Sequence, residues 1–446
     1  MKYFNLALLC GCLATSMLPG RALAQESMQG AIEKDWPYLQ SLYTHFHENP
    51  ELSFRETQTA ERMATELRSL GFEVTTGIGG TGLVAIMKNG EGPRLMIRTD
   101  MDALPVKETT GKSYASKIIG ENYLGAKNLP IMHACGHDVH MTALVGTARR
   151  LVAMKDQWAG TLVLIGQPAE EIGLGAKAML DDGLYTRFGV PDFNLALHVS
   201  AGLPAGVIGY TAGYALANVD SVDIEIKGVG GHGAYPHTTK DPIVLGAYIV
   251  TALQTLVSRS VDPQAPAVVT VGSFHGGTKH NIIPGNVHLK LTVRSYSDAV
   301  RQTLLDGITR IAQNQARAFG ITEDQLPVIT VEKDYTPSTY NDPALVKRAM
   351  TAIADQIGEK NVREMPAVMG GEDFARYGRT KEKVPGFMFW AGAVEPENYA
   401  KAKASGETLP SLHSAFFAPD AQKTITTAVN AMSAAALNVL EKTNDG

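Results

Sequence analysis

The eight residues HACGHDVH, His133 to His140, gather three imidazoles, a thiol and a carboxylate in a chain that has three cysteines in all. Thiolate and imidazole together suit zinc and similar transition metals, and Cys135 and His137, one residue apart, can both face one site from a loop or turn. Cys10 and Cys12 lie in an N-terminal segment with the marks of a removable leader, which leaves Cys135 without a partner. An unpaired thiol is buried and inert, reactive, or held as thiolate by a metal, and the neighbouring histidines favour the last. Further along, Glu170 and Glu171 close the segment GTLVLIGQPAEE, His198 stands near the end of FNLALHVS, and His413 lies in LPSLHSAFF. Taken alone, two adjacent acids read as a solvated patch, His198 as a polar strand tip, and His413 carries little signal. Gathered on one rim, they allow a division of labour in which one acid binds metal and the other moves protons. With Cys135 and His137 they supply enough donors for two divalent ions per chain (zinc, manganese, cobalt or nickel), with positions left open for water.

The elements that must position these groups are read from hydrophobic period. Trp36 to Glu48 and Glu56 to Leu70 have helical spacing, FEVTTGI, GLVAIMK and RLMIRTD read as strands, and HMTALVGTARRLVAM as a helix after the cysteine cluster. Apolar strands that stop at acids or histidines predict an α/β fold, an open mixed sheet with helices on both faces and its site at the strand ends. From Ala217 the rhythm changes. VDSVDIEIKG, DPIVLGAYIVTALQTLVSR, AVVTVGSFHG, NVHLKLTVRS, SDAVRQTLLDGITRIAQNQARAF and PVITVEKDY follow the order β-α-β-β-α-β, a ferredoxin-like α+β unit. Residues 217–335 therefore read as an inserted domain, and residues 25–216 with 336–446 as the metal-binding catalytic domain.

Length supports the division, because 446 residues exceed what one hydrophobic core usually sustains. Residues 1–24 read as a signal peptide: Lys2, an apolar run from Phe4 to about Leu18, and Ala22-Leu23-Ala24 before Gln25. Acylation at Cys12 is the alternative. The apolar run is too short to span a bilayer, so a periplasmic or secreted protein with no membrane span is expected. Loss of residues 1–24 removes Lys2 and Arg21 and no acid, making a chain with 40 basic and 45 acidic side chains more acidic still. That balance disfavours nucleic acid as a partner.

The motifs HENPELSF, RTDMDALPV, MHACGHDVH, QPAEE, ALHVSAGLPAG, GVGGHGAYPH, NIIPG, GGEDF and LHSAFF occur in that order over nearly the whole chain after the leader. In them the chain resembles the M20 metallopeptidase clan, specifically the aminoacylase-like amidohydrolases that include hippurate and auxin-conjugate hydrolases. The resemblance implies a zinc-exopeptidase-like catalytic domain and an inserted dimerisation or lid domain. It implies a dinuclear centre on Cys135, His137, Glu171, His198 and His413, with Glu170 as general base and Asp102 supporting the metals from behind. His232, in the inserted domain, matches a histidine that reaches a dimer partner's site and steadies the reacting carbonyl. Asn281 and Arg294 match residues that contact substrate, at its carboxylate, and Arg294 read alone is also a solvated strand residue. The GGEDF segment reads as pocket lining, or Glu372 and Asp373 as caps of the next helix.

The implied activity is hydrolysis of N-acyl amino acids by a homodimer or higher homo-oligomer, through metal-activated water with Glu170 shuttling the proton. A metallo-exopeptidase, dipeptidase or carboxypeptidase acting on short peptides would share every ligand. A noncatalytic binding protein would lack the base or a ligand, and this chain keeps them all. GQPAEE, EEIGLGA and LHSAFF depart from the family's usual wording without removing a ligand. The acyl group is left open among benzoyl, indole-acyl, fatty-acyl and peptidyl.

Overall fold

The computed structural model describes residues 27–442; the leader read at residues 1–24 lies outside them. The first strands are β1 (Glu73–Ile78), β2 (Gly82–Asn89), β3 (Arg94–Asp100), β4 (Gly160–Gln167), β5 (Phe193–Pro204) and β6 (Ile208–Tyr210). The small domain contributes β7 (Asn218–Lys227), β8 (Ala267–Gly276), β9 (Asn286–Ser295) and β10 (Val328–Val331), and the chain then returns with β11 (Val362–Glu364) and β12 (Gly386–Val394). The large mixed sheet has eight strands in the order β1-β2-β4-β3-β5-β12-β6-β11, and β3, β4, β5 and β12 run parallel.

Alternation along these strands divides the side chains between two cores. Leu95, Ile97, Leu195, Leu197, Phe387 and Phe389 join the core beneath the long helices. Those helices are α1 (Met28–Glu48), α2 (Thr57–Ser69), α3 (His137–Ala153), α6 (Pro343–Ile357) and α7 (Ala421–Val439), numbered to leave α4 and α5 for the helices of the small domain, Pro242–Thr255 and Asp298–Ala318. Met96, Val163, Ile165, Ala196 and Met388 point the other way, into a smaller core under short helices. Arg98, Asp100, Gln167, His198 and Trp390 share that second phase, so one face of the sheet carries the polar chemistry at its rim.

The small sheet has the order β8-β9-β7-β10 and is wholly antiparallel. Its connection order, β7-α4-β8-β9-α5-β10, is ferredoxin-like. Val222, Ile224, Ile226, Leu289, Leu291 and Val293 form its own core with Leu245, Ile249 and Leu253 of α4 and Leu304 and Ile308 of α5. The helix starts are written locally. Asp241 accepts from the amides of Ile243 and Val244 with Pro242 next, Ser297 from Val300, and Asp342 from Leu345 with Pro343 next.

The structure differs from the expectation in several places, the first helix starting at Met28 rather than Trp36 among them. The last small-domain strand stops at Val331 rather than running to Tyr335, and Glu332 to Thr336 turn into the cleft between the domains. The helix after the cysteine cluster begins at His137, three residues early, because Gly136 caps it in the left-handed region at φ 82°. A Cβ at Gly136 would come within 2.6 Å of Val199 Cγ2, so glycine also lets the Cys135 turn lie against β5. Glu372 and Asp373 do not serve chiefly as caps: the helix after them is the single turn Ala375–Gly378, and their carboxylates meet a buried arginine instead.

Candidate metal centre

Asp100 ends β3, Glu170 and Glu171 follow β4, and His198 lies in β5, so parallel strands deliver these side chains to the carboxyl rim of the sheet. Cys135 arrives on the turn before α3 and His413 on the loop before α7. Cys135 Sγ lies 3.5 Å from His198 Nε2 and 3.3 Å from His413 Nε2. His413 Nε2 is 3.5 Å from Glu171 Oε2, and His137 Nε2 is 3.8 Å from Glu171 Oε1 and 3.9 Å from Glu170 Oε2. The fold thus brings Cys135, His137, Glu170, Glu171, His198 and His413 into one cluster.

The far sides of these groups are tied down. His137 Nδ1 donates to the Asp102 carbonyl at 2.6 Å, and His198 Nδ1 to the Val199 carbonyl at 2.8 Å. Each ring therefore turns Nε2 towards the cluster, the usual way a ligating histidine is oriented. Fully buried Asp102 accepts the amides of Glu170 and Glu171, both at 3.1 Å, and the Ser53 hydroxyl at 2.6 Å. It sits behind the acid pair and fixes its backbone. Among the described residues, His137 Nε2 and Glu171 Oε1 are buried with no hydrogen-bond partner.

A second tier lies beneath, and the sequence reading missed it. Fully buried Arg98 donates to Asp100 at 2.6 Å, to Glu372 at 2.8 Å, to Asp373 at 3.3 Å and to Gln167 at 2.9 Å. Asp100 also accepts from His140 Nδ1 at 2.6 Å, and His140 Nε2 accepts the Val199 amide at 2.8 Å. Among the described residues Glu372 keeps Oε2 buried and unpartnered, and its carboxylate groups with donor atoms of Asp100 and His198. The available signal was an arginine in the apolar run LMIRTD, since a charge inside a buried strand must be matched. Behind His137, Asp138 bonds His47 at 2.7 Å, and His47 reaches Glu108 at 3.1 Å.

The electrostatics of the cluster call for cations. Burial pushes the Glu170 carboxyl well above the usual range, and Glu372, Glu171 and Asp373 push it further. Burial lifts Glu171 to about 8, with Asp102 and Asp100 adding to the rise and His137 opposing it. Burial and the same acid pair raise the Cys135 thiol. For His137, burial opposes the charged form, but Asp100, Asp102 and Glu171 outweigh it and raise the imidazole to about 10. Arg98 is the guanidinium that answers these carboxylates, and it leaves negative charge in excess. Divalent ions fit both the thiolate, imidazole and carboxylate donor set and the charge deficit.

The cluster forms one wall of a cleft of about 700 Å³, whose opposite wall comes from the small domain and includes Val219, Ser221, Arg294 and Tyr335. Arg294, half-buried on β9, donates to the Met369 carbonyl at 2.7 Å. The other two small-domain candidates are placed elsewhere. His232 and Asn281 adjoin each other on a two-stranded ribbon, where Gly233 donates to the Asn281 carbonyl at 2.9 Å. Both are exposed and neither lines the cleft.

An open mixed sheet whose strand ends hold such donors above a two-domain cleft defines a metal-dependent hydrolase of linear amides, and comparison with known proteins agrees. The chain belongs to peptidase family M20/M25/M40, whose model matches residues 96–410. It is 36% identical over 371 residues to thermostable carboxypeptidase 2 of Saccharolobus solfataricus, covering 82% of this chain and 88% of the relative. It is 37% identical over 367 residues to hippurate hydrolase of Campylobacter jejuni, covering 81% and 88%. A Bacillus subtilis crystal structure described as a dinuclear metal binding peptidase of the M20 family aligns with a TM-score of 0.72 at 29% identity, over 92% of this chain and 99% of that one. The aminoacylase-like type read from the motifs agrees with these relatives.

Proposed function

We propose that the protein is an exported amidohydrolase that cleaves N-acyl amino acids to a carboxylic acid and a free amino acid, using two divalent ions per chain. The observation that carries this reading is the presence of Glu170, Cys135, Glu171, His198, His413 and Arg294 in one cleft, with His137 next to the two acids. Arg294 supplies a guanidinium for the substrate's carboxylate. When bound, the ions supply Lewis acidity and activate water. Cys135, His137, Glu171, His198 and His413 would hold them. Glu170 takes the proton of the attacking water and returns it to the leaving nitrogen, a role suited to a buried carboxylate with a raised proton affinity. Asp102 keeps Glu170 in reach by fixing its amide.

Dimerisation through the small domain is part of the proposal, with His232 and Asn281 serving the partner's cleft. Its support is the exposed position of the His232 ribbon and the apolar outer face of α4, where Ile243, Val244 and Tyr248 are exposed. Export rests on the leader features of residues 1–24, and a mature N-terminus at Gln25 in protein recovered outside the cytoplasm would support it. A carboxypeptidase is the second reading, favoured by the named relative and by the fact that Arg294 can equally meet a peptide's terminal carboxylate. Hydrolysis of N-acyl amino acids by metal-loaded protein, with matching dipeptides in parallel, separates the two. Cleavage of dipeptides alone overturns the acylase reading.

A further inference from the structure

We infer that Trp390 sets the amino-acid preference of the cleft and selects substrates whose amino-acid half carries a large apolar side chain. The inference rests on the proposed placement of the reacting carbonyl at the metal donors and of the substrate carboxylate at Arg294. It goes further by assigning what lies between them.

Trp390 stands on β12 in register with His198 on the parallel strand β5. Register partners on adjacent strands project to the same face, and both side chains line the cleft. Phe389 and Ala391, on either side of Trp390, are fully buried on the opposite face. The indole is half-buried and is the large apolar surface beside a metal-donating imidazole. From there the wall continues through Leu216, Val219 and Val368. Val219 is the cross-strand partner of Arg294, and Arg294 is held at the carbonyl of Met369, the residue after Val368. Gly371 lets this wall close: a Cβ there would come within 2.6 Å of Val219 Cγ2.

The apolar surface therefore spans the interval from the metal donors to the guanidinium. In an N-acyl amino acid the carboxylate and the side chain sit on the same carbon, on the nitrogen side of the scissile bond. A substrate anchored by its carboxylate at Arg294 lays that side chain, and not its acyl group, along Trp390, Leu216 and Val219. Leucine, methionine and phenylalanine derivatives gain apolar contact there. An aspartate derivative brings a second anion to a cleft also lined by Glu332 and Asp334.

The test varies the two halves of the substrate separately on the metal-loaded enzyme. With the acyl group fixed as acetyl, kcat/KM should favour the leucine and phenylalanine compounds over glycine by at least ~10-fold, the scale on which apolar pockets discriminate, and aspartate should rank last. Trp390→Ala should bring the leucine-to-glycine ratio towards one, mainly through KM, with metal per chain unchanged. It should alter the ranking of acetyl, octanoyl and benzoyl groups on a fixed amino acid much less. Trp390→Met, which keeps bulk and apolarity, should retain most of the preference and covers the case in which the alanine variant folds poorly. Dissociation constants for N-acetylleucine and N-acetylglycine on metal-loaded Glu170→Gln protein give the same comparison without turnover. If only dipeptides are cleaved, the acylase reading fails, while Ala-Leu against Ala-Gly still decides the role of Trp390. A wild-type preference for glycine, or a Trp390→Ala effect confined to the acyl series, overturns the inference.

Discussion

The two regions that supply functional residues are built in opposite ways. Around Cys135 the donors are mostly buried, their rear atoms are engaged by Asp102 and by backbone carbonyls, and a second tier on Arg98 holds the acids from below. Around His232 the backbone is a short exposed ribbon, and the imidazole accepts the amide of Ala234, two residues away, at 3.0 Å. A side chain fixed from several directions by its own fold is ready to act where it stands. One fixed only locally must find its surroundings elsewhere. The contrast separates metal donors gathered within one chain from a group that the proposal assigns to a partner's cleft.

The sharpest test within the buried region is Glu170→Gln, which should lower kcat by ~100- to 10,000-fold while metal content stays near the wild-type value. Glu171→Gln should instead lose metal, read by elemental analysis; exchanged phenotypes would reverse the assignment of base and ligand. Next in size is Arg98→Met. Removing the guanidinium strands Glu372 and Asp373 without their buried countercharge and should cost about 3–5 kcal/mol in denaturant unfolding. A loss below about 1 kcal/mol would show that bound cations alone balance the tier.

In the exposed region, His232→Ala should lower kcat by ~100- to 1,000-fold if the imidazole meets the developing oxyanion, with stability nearly unchanged. Mixing it with Glu170→Gln protein under subunit exchange should restore activity, because one of the two clefts in a mixed dimer then has both groups. Verified exchange without recovery would place His232 outside catalysis in trans.

The last test concerns pH and the buried network of His47, Asp138 and Glu108. Burial disfavours charge on His47, but hydrogen bonds to Asp138 and Glu108 prevail and raise it to about 10, above the ordinary histidine value of about 6.5. Its stabilising contribution is complete below about pH 6.5 and is lost as pH rises through about 10. Unfolding free energy should fall over that window by at most about 1.4 kcal/mol per pH unit from this group. His47→Gln should flatten the slope; an unchanged slope would assign it to other groups.

Local chemistry made much of this molecule legible in one dimension. The run LMIRTD, the paired acids after GTLVLIGQPA and the thiol between histidines each announce themselves, because strand period and metal-donor type are properties of short segments. The ferredoxin-like order was equally readable, since VDSVDIEIK and NVHLKLTVRS alternate and each helix starts at a written cap. What short segments do not reveal is which charges meet across long separations. Arg98 finds Glu372 and Asp373 more than 270 residues later, and Glu372, readable as a helix cap, turns out to hold an arginine.

By itself, then, the sequence determined most of the secondary elements and the ferredoxin-like order, because these follow from period and caps, and its ordered motifs carried the family resemblance that named the candidate donors. Only the tertiary structure decided that Asp100, His198 and Trp390 share one face of one sheet, that Arg98 sits beneath them, that Arg294 reaches the cleft, and that His232 and Asn281 do not. The reason is physical: strand register and the packing of one domain on another are set by long-range burial, and a one-residue shift in β5 against β12 would turn His198 or Trp390 away from the site.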